Sequence, residues 1–196
     1  MKSDSMGAVF PLKCRITVHP SLILWLSILI YLQPRLSLGF LWAAVIHELG
    51  HYIALFLLKK PPTHLTLHGM GASMEIQSLG YIQAVLAYAA GPAASLLLGL
   101  YGRLFPVTSI ISLCLGLFNL LPICGLDGSG ILENLLCLRL SQEAAQRTAQ
   151  IVSLVFCMLV LPFGILIGKR YHLGLWLPAL AGLLLLKSIY LVAKTE

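Results

Sequence analysis

Leu36-Ser-Leu-Gly-Phe-Leu-Trp-Ala-Ala-Val-Ile-His47-Glu48-Leu49-Gly50-His51-Tyr-Ile-Ala-Leu-Phe-Leu-Leu58 is an apolar run whose acidic and basic side chains are His47, Glu48 and His51 alone. It is long enough to cross a hydrocarbon core, which takes about 20 residues. A lone Glu at the centre of such a helix costs roughly 2.5–3.5 kcal/mol on insertion scales, so ionisable groups there are functional by default. His-Glu-x-x-His is also the pattern in which two histidines one helical turn apart bind zinc and the Glu handles protons. His47 and His51 can therefore present imidazole nitrogens to one ion. Glu48 can reach the space beside it and take a proton from water that the metal has made acidic. The stretch predicts a metal-dependent hydrolase working inside a bilayer.

The composition agrees. The 196 residues are 59% hydrophobic and 10% charged, with a mean hydropathy of +0.92, whereas soluble domains carry about 25% charged residues. The reading is one polytopic all-α membrane domain over residues 1–196, with a catalytic core over about 36–130 and no PDZ or CBS domain. Net charge is +6, but the basic residues lie scattered at span ends, which fits membrane topology and not nucleic-acid binding. The cysteines (Cys14, Cys114, Cys124, Cys137, Cys157) are odd in number and form no Cys-x-x-Cys pair, so neither a disulfide framework nor a cysteine zinc site is expected.

Hydropathy and breakers place six spans, at about 18–33, 37–58, 79–101, 106–121, 149–167 and 173–193, after a polar tail over 1–15. Pro61-Pro62 ends the second span, and Gly91-Pro92 predicts a kink in the third. Between them Leu65, Leu67, Met74 and Ile76 alternate with polar or small residues around Gly69-Met70-Gly71, which predicts a β-hairpin over 64–76. A loop and amphipathic segment fill about 122–147. With both termini cytoplasmic, the inner segments hold Lys2, Lys13, Arg15, Lys59, Lys60, Arg139, Arg147 and Lys194, and the outer loops Arg35, Arg103, Lys169 and Arg170. That bias follows the positive-inside rule. It puts His51 roughly 12 Å from Lys59 along the helix, below the cytoplasmic surface, with water entering from that side.

A catalytic zinc takes three protein ligands and keeps one position open. Asp127, in Asn119-Leu-Leu-Pro122-Ile-Cys-Gly-Leu-Asp127-Gly128, follows a span that ends in the same half of the bilayer as His51, and is the candidate third ligand. Glu75 competes from the hairpin, and His64 and His68 are weaker candidates; His19 and His172 read as interfacial.

His47-Glu48-Leu-Gly-His51, Ala90-Gly91-Pro92-Ala93-Ala94, Asn119-Leu-Leu-Pro122 and Leu126-Asp127-Gly128 together resemble the site-2 protease family of intramembrane metalloproteases over roughly residues 40 to 130. The resemblance implies one Zn2+ per chain on His47, His51 and Asp127, Glu48 as general base, and Asn119 as a substrate-positioning residue. With six spans and a hairpin between spans two and three, the chain most resembles the sporulation stage IV FB-type branch. That branch implies cleavage of the membrane-associated pro-sequence of a sporulation sigma factor, and an inhibitory membrane partner. Family members often have Pro where this chain has Gly125 and Gly-Arg where it has Ser129-Gly130, and an Asn where it has Ser95. These departures bear on substrate choice, since the metal and acid–base positions are intact. Other expectations stay open: cleavage of another membrane-anchored regulator (an anti-sigma factor or a signal-peptide remnant), an idle scaffold with a structural metal, or a metal transporter. Only three convincing ligands argue against the scaffold, and the lack of an internal repeat argues against the transporter.

Overall fold

A computed structural model describes residues 15–69, 71–76, 78–170, 182–186 and 188–190. The order is β1 (Arg15–Val18), α1 (Pro20–Leu32), α2 (Pro34–Leu57), β2 (His64–His68), β3 (Gly71–Glu75), α3 (Tyr81–Gly99), α4 (Pro106–Asn119), α5 (Asp127–Leu136) and α6 (Gln142–Arg170), followed by helical residues 182–186 and 188–190.

Proline opens three of these helices. Pro20, Pro34 and Pro106 stand in the first turn of α1, α2 and α4, where the missing N–H would have had no partner and the fixed φ suits a helix. α2 stops where Lys59 turns to a φ of 58°, just before Pro61-Pro62. α3 begins where the Gln83 side chain accepts a hydrogen bond from the Gly80 amide at 3.2 Å. It then runs unbroken through Pro92.

The expected hairpin is present as β2 and β3, antiparallel, with Leu65 opposite Met74 and His64 opposite Glu75. A third strand joins it: β1 pairs parallel to β2, Arg15 beside His64 and Val18 beside Leu67. Arg15–Val18 lies across the join of the expected tail and first span. The strand order β1-β2-β3 leaves β3 as an edge.

Among the described residues three helices are long and apolar enough to cross a membrane, Leu36–Leu57, Tyr81–Gly99 and Gln142–Leu166. Two further apolar helices, Pro20–Tyr31 and Pro106–Asn119, are shorter. At 1.5 Å per residue, 14 residues of α4 reach about 20 Å of the roughly 30 Å hydrocarbon thickness. Most of the sixth expected span lies outside the described residues.

The packing is inside-out by the standard of a water-soluble domain. Large apolar side chains such as Leu38, Trp42, Leu97, Ile110 and Phe163 face outward, and Ser95, Ser109, Ser112, Ser153 and Ser188 are buried. Small residues let apolar helices approach closely, and their hydroxyls bond across the contact. Ser112 donates to the Ser95 carbonyl at 2.9 Å and Ser109 to the Leu98 carbonyl at 3.2 Å, joining α4 to α3. α3 packs against α2, α4 and α5, and so lies at the centre.

Candidate metal centre

The His-Glu-x-x-His residues fall on α2 as the spacing predicts, and Asp127 opens α5. His47 Nε2 and Asp127 Oδ2 are 3.0 Å apart, His51 Nε2 and Asp127 Oδ2 3.3 Å, and the two Nε2 atoms 3.3 Å. Donors sharing one tetrahedral ion at about 2.0–2.1 Å lie about 3.3 Å from one another. The three atoms thus form one face of a tetrahedron of the size a zinc ion needs. Among the described residues this is the one group of His, Cys, Asp or Glu able to hold a metal ion.

A hydrogen bond behind each ring orients it, and behind His51 it also sets the tautomer. His51 Nδ1 lies 2.7 Å from the Ala87 carbonyl. A carbonyl only accepts, so Nδ1 carries the proton and a neutral ring turns its Nε2 lone pair towards His47 and Asp127. His51 Nε2, His47 Nε2 and the Asp127 carboxylate converge at the spacing that donors to one shared cation would take. His47 Nδ1 meets Ser95 Oγ at 2.9 Å, and the ring is buried. Such outer partners orient ligands and raise their basicity. The donor set therefore fits a zinc ion.

Two glycines make the approach possible. At Gly91 a Cβ would overlap the His51 ring, and at Gly128 it would overlap the carbonyls of Leu120 and Leu121. The first lets α3 lie against the ligand ring; the second lets α5 tuck under the end of α4 so that Asp127 points inward.

Glu48 lies beside the cluster and bonds to the sheet, its Oε1 accepting from the Ala72 amide at 3.2 Å. The hairpin thus sits directly over the metal centre. Glu75 is on the exposed side of β3, 3.7 Å from His64. His64 also meets Thr17 at 2.6 Å, and His68 meets Ser73 at 3.2 Å. His19 accepts from the Ser21 amide and caps α1. None of these side chains joins the metal group; His172 lies outside the described residues. Asn119 spends its amide donor on the Leu115 carbonyl of its own helix at 3.0 Å. Sequence reasoning missed the contacts of Ser95 and the Ala87 carbonyl with the two histidine rings. Ser95 had a signal, since it stands where the resembling family has another hydrogen-bonding residue.

The fold and site define a helical membrane protein with a candidate three-ligand metal centre and a carboxylate beside it. Residues 101–163 match the model of peptidase family M50. The fold is similar to that of the site-2 protease from Methanocaldococcus jannaschii, at 21% identity over 90% of each chain with a TM-score of 0.66. No curated protein matches the chain.

Proposed function

We propose that this chain is an intramembrane zinc metalloprotease. The observation that carries the reading is the convergence of His47 and His51, on a helix of membrane-spanning character, with Asp127 at the start of α5, beside Glu48. The peptidase family match and the shared fold support it.

In this reading His47, His51 and Asp127 would hold the ion, which would supply Lewis-acid polarisation of a carbonyl and a more acidic water. Glu48 takes the proton from the attacking water and passes it to the leaving amine. Asn119 bonds Leu115 through its amide nitrogen, and its carbonyl oxygen orients a substrate amide. Ser95 and the Ala87 carbonyl orient the two rings, and Ala87 also keeps the proton of His51 on Nδ1.

A peptide in a helix hides its carbonyls in hydrogen bonds, so the substrate must be extended where it is cut. The free edge of β3 offers it a partner. Ala72 turns its N–H away from β2 towards Glu48, and by strand alternation the Met74 peptide groups face the same way. A strand added there lies alongside the metal centre. The substrate class is a membrane-associated protein, and the sequence resemblance favours the pro-sequence of a sporulation sigma factor. Both termini and the opening of the site are cytoplasmic in this reading, following the distribution of Lys and Arg.

The test is co-expression with a membrane-tethered sigma-factor pro-sequence, wild type beside Glu48→Gln. Wild type cleaves. Glu48→Gln keeps its zinc and loses turnover by about 10²–10⁴-fold, the range for a general acid–base group. Equal cleavage by both would remove Glu48 from the chemistry. Zinc binding with no cleavage of this substrate would redirect the search to another membrane-anchored regulator.

A further inference from the structure

The loop over 120–126 joins two parts of the molecule. At one end Asp127 reaches the histidines of α2. Three and four residues earlier, the same chain is anchored on the opposite side. Ile123 is fully buried against Cys157 of α6 and Leu184 of the last helical segment. The Cys124 amide donates to Ser153 Oγ at 2.7 Å, Ser153 Oγ lies 2.9 Å from Ser188 Oγ, and Ser188 lies 3.7 Å from Cys157 Sγ. Ser153 and Ser188 are both 0% exposed.

A backbone N–H can only donate, so Ser153 Oγ accepts from Cys124, while the Ser153–Ser188 hydroxyl pair can share a proton in either direction. Two further bonds run within the loop, Ile123 N to Leu121 O and Leu126 N to Ile123 O, and so shape it without tying it to a neighbouring helix. Gly125 follows at a φ of 95°, turning the chain towards α5. A metal ligand must be held to within about 0.5 Å of its productive position. His47 and His51 lie within α2, whereas Asp127 is the first residue of α5, at the point where the loop ends.

We infer that Ser153 is the positioning residue for the third metal ligand, fixing the loop through the Cys124 amide, with Ser188 orienting the Ser153 hydroxyl. This rests on reading His47, His51 and Asp127 as a zinc site. It makes α6 and the last helical segment part of the metal-binding apparatus, although neither supplies a ligand.

The test is equilibrium zinc affinity of the purified full chain, by chelator competition, together with the thermal midpoint of the zinc-free form. The variants are Ser153→Ala, Ser153→Thr, Ser188→Ala and Ser109→Ala. Ser109 is an equally buried serine, 1% exposed, that bonds the Leu98 carbonyl far from the loop in the hydrogen-bond network. Loss of an outer partner of a metal site weakens binding about 10–100-fold. Ser153→Ala is expected at about 10-fold or more, Ser188→Ala at less, and Ser153→Thr recovers most of the loss by restoring a hydroxyl. The visible absorption of the cobalt-loaded Ser153→Ala protein shifts as the carboxylate moves. Ser109→Ala lowers the thermal midpoint without weakening zinc. Wild-type zinc affinity in Ser153→Ala, or an equal loss in Ser109→Ala, overturns the inference. Zinc binding by wild type no tighter than by His51→Ala overturns the metal-site reading itself, and this inference with it.

Discussion

His51 donates its Nδ1 proton to the Ala87 carbonyl at 2.7 Å, and one turn further along α3 Gly91 leaves the space its ring occupies. One helix therefore both aims the ligand and makes room for it. Gly91→Ala inserts a methyl group into the ring. Overpacking of this kind costs about 1–3 kcal/mol, and the cheapest relief is rotation of His51 out of the site. The expected outcome is a folded protein with zinc affinity reduced at least about 10-fold, the scale of a disturbed ligand orientation. Chelator competition checks it. Undiminished affinity would show that α3 can retreat, and that the close approach is not needed.

Ser95 does for His47 what Ala87 does for His51. It is 0% exposed, and Ser112 in turn bonds its carbonyl. Ser95→Ala leaves the buried Nδ1 of His47 without a partner, which costs about 1–3 kcal/mol, and frees the ring to change tautomer. Zinc affinity should fall about 10–100-fold. Ser95→Asn keeps a hydrogen-bonding group and should lose less. If Ser95→Ala bound zinc as wild type does, the ring would be held by its packing alone.

The third ligand can be separated from its sequence rival. Asp127→Asn preserves shape but removes the negative charge and one lone-pair acceptor, so zinc affinity should fall by more than in the outer-partner variants. Glu75→Gln should leave it unchanged, since Glu75 sits on the exposed face of β3 beside His64. Loss of zinc in Glu75→Gln and not in Asp127→Asn would reverse the assignment.

The histidine pair is legible in the sequence because a helix turns every 3.6 residues, so a spacing of four dictates a shared face whatever the rest of the chain does. The approach of Asp127 to the histidines is legible from its place just after the apolar helix α4. The hairpin is legible from alternation. β1 is not, because Arg-Ile-Thr-Val is too short to distinguish a strand from the approach to a helix, and its parallel pairing to β2 is a long-range contact. The first and fourth helices are shorter than their hydropathy implies. Apolar sequence continues past the points where His19-Pro20, Gln33-Pro34 and the turn over 100–105 break the helices. The bonds of Ser95 and Ser153 depend on how neighbouring helices are rotated, which residue spacing along one helix does not specify.

The β3 edge carries the last prediction. Proline is tolerated on an edge strand where its missing N–H faces away from the sheet. Met74 meets that condition by alternation from Ala72, whose amide points to Glu48. Met74→Pro should therefore keep the hairpin and the zinc while removing one of the donors an added substrate strand would use. Ala72→Pro removes the N–H that holds Glu48 and so frees that carboxylate. Both variants are expected to retain wild-type zinc affinity, and Met74→Pro to lose cleavage about 2- to 13-fold, as one main-chain hydrogen bond of about 0.5–1.5 kcal/mol would give; Ala72→Pro should lose at least as much. Ser73→Pro is the contrast, because the Ser73 amide faces Thr66 of β2 in the ladder, and its loss should disrupt the sheet itself. Cleavage is measured at matched zinc occupancy. Wild-type rates in Met74→Pro and Ala72→Pro together would mean that the hairpin only covers the site, and that the extended substrate finds its main-chain partners elsewhere.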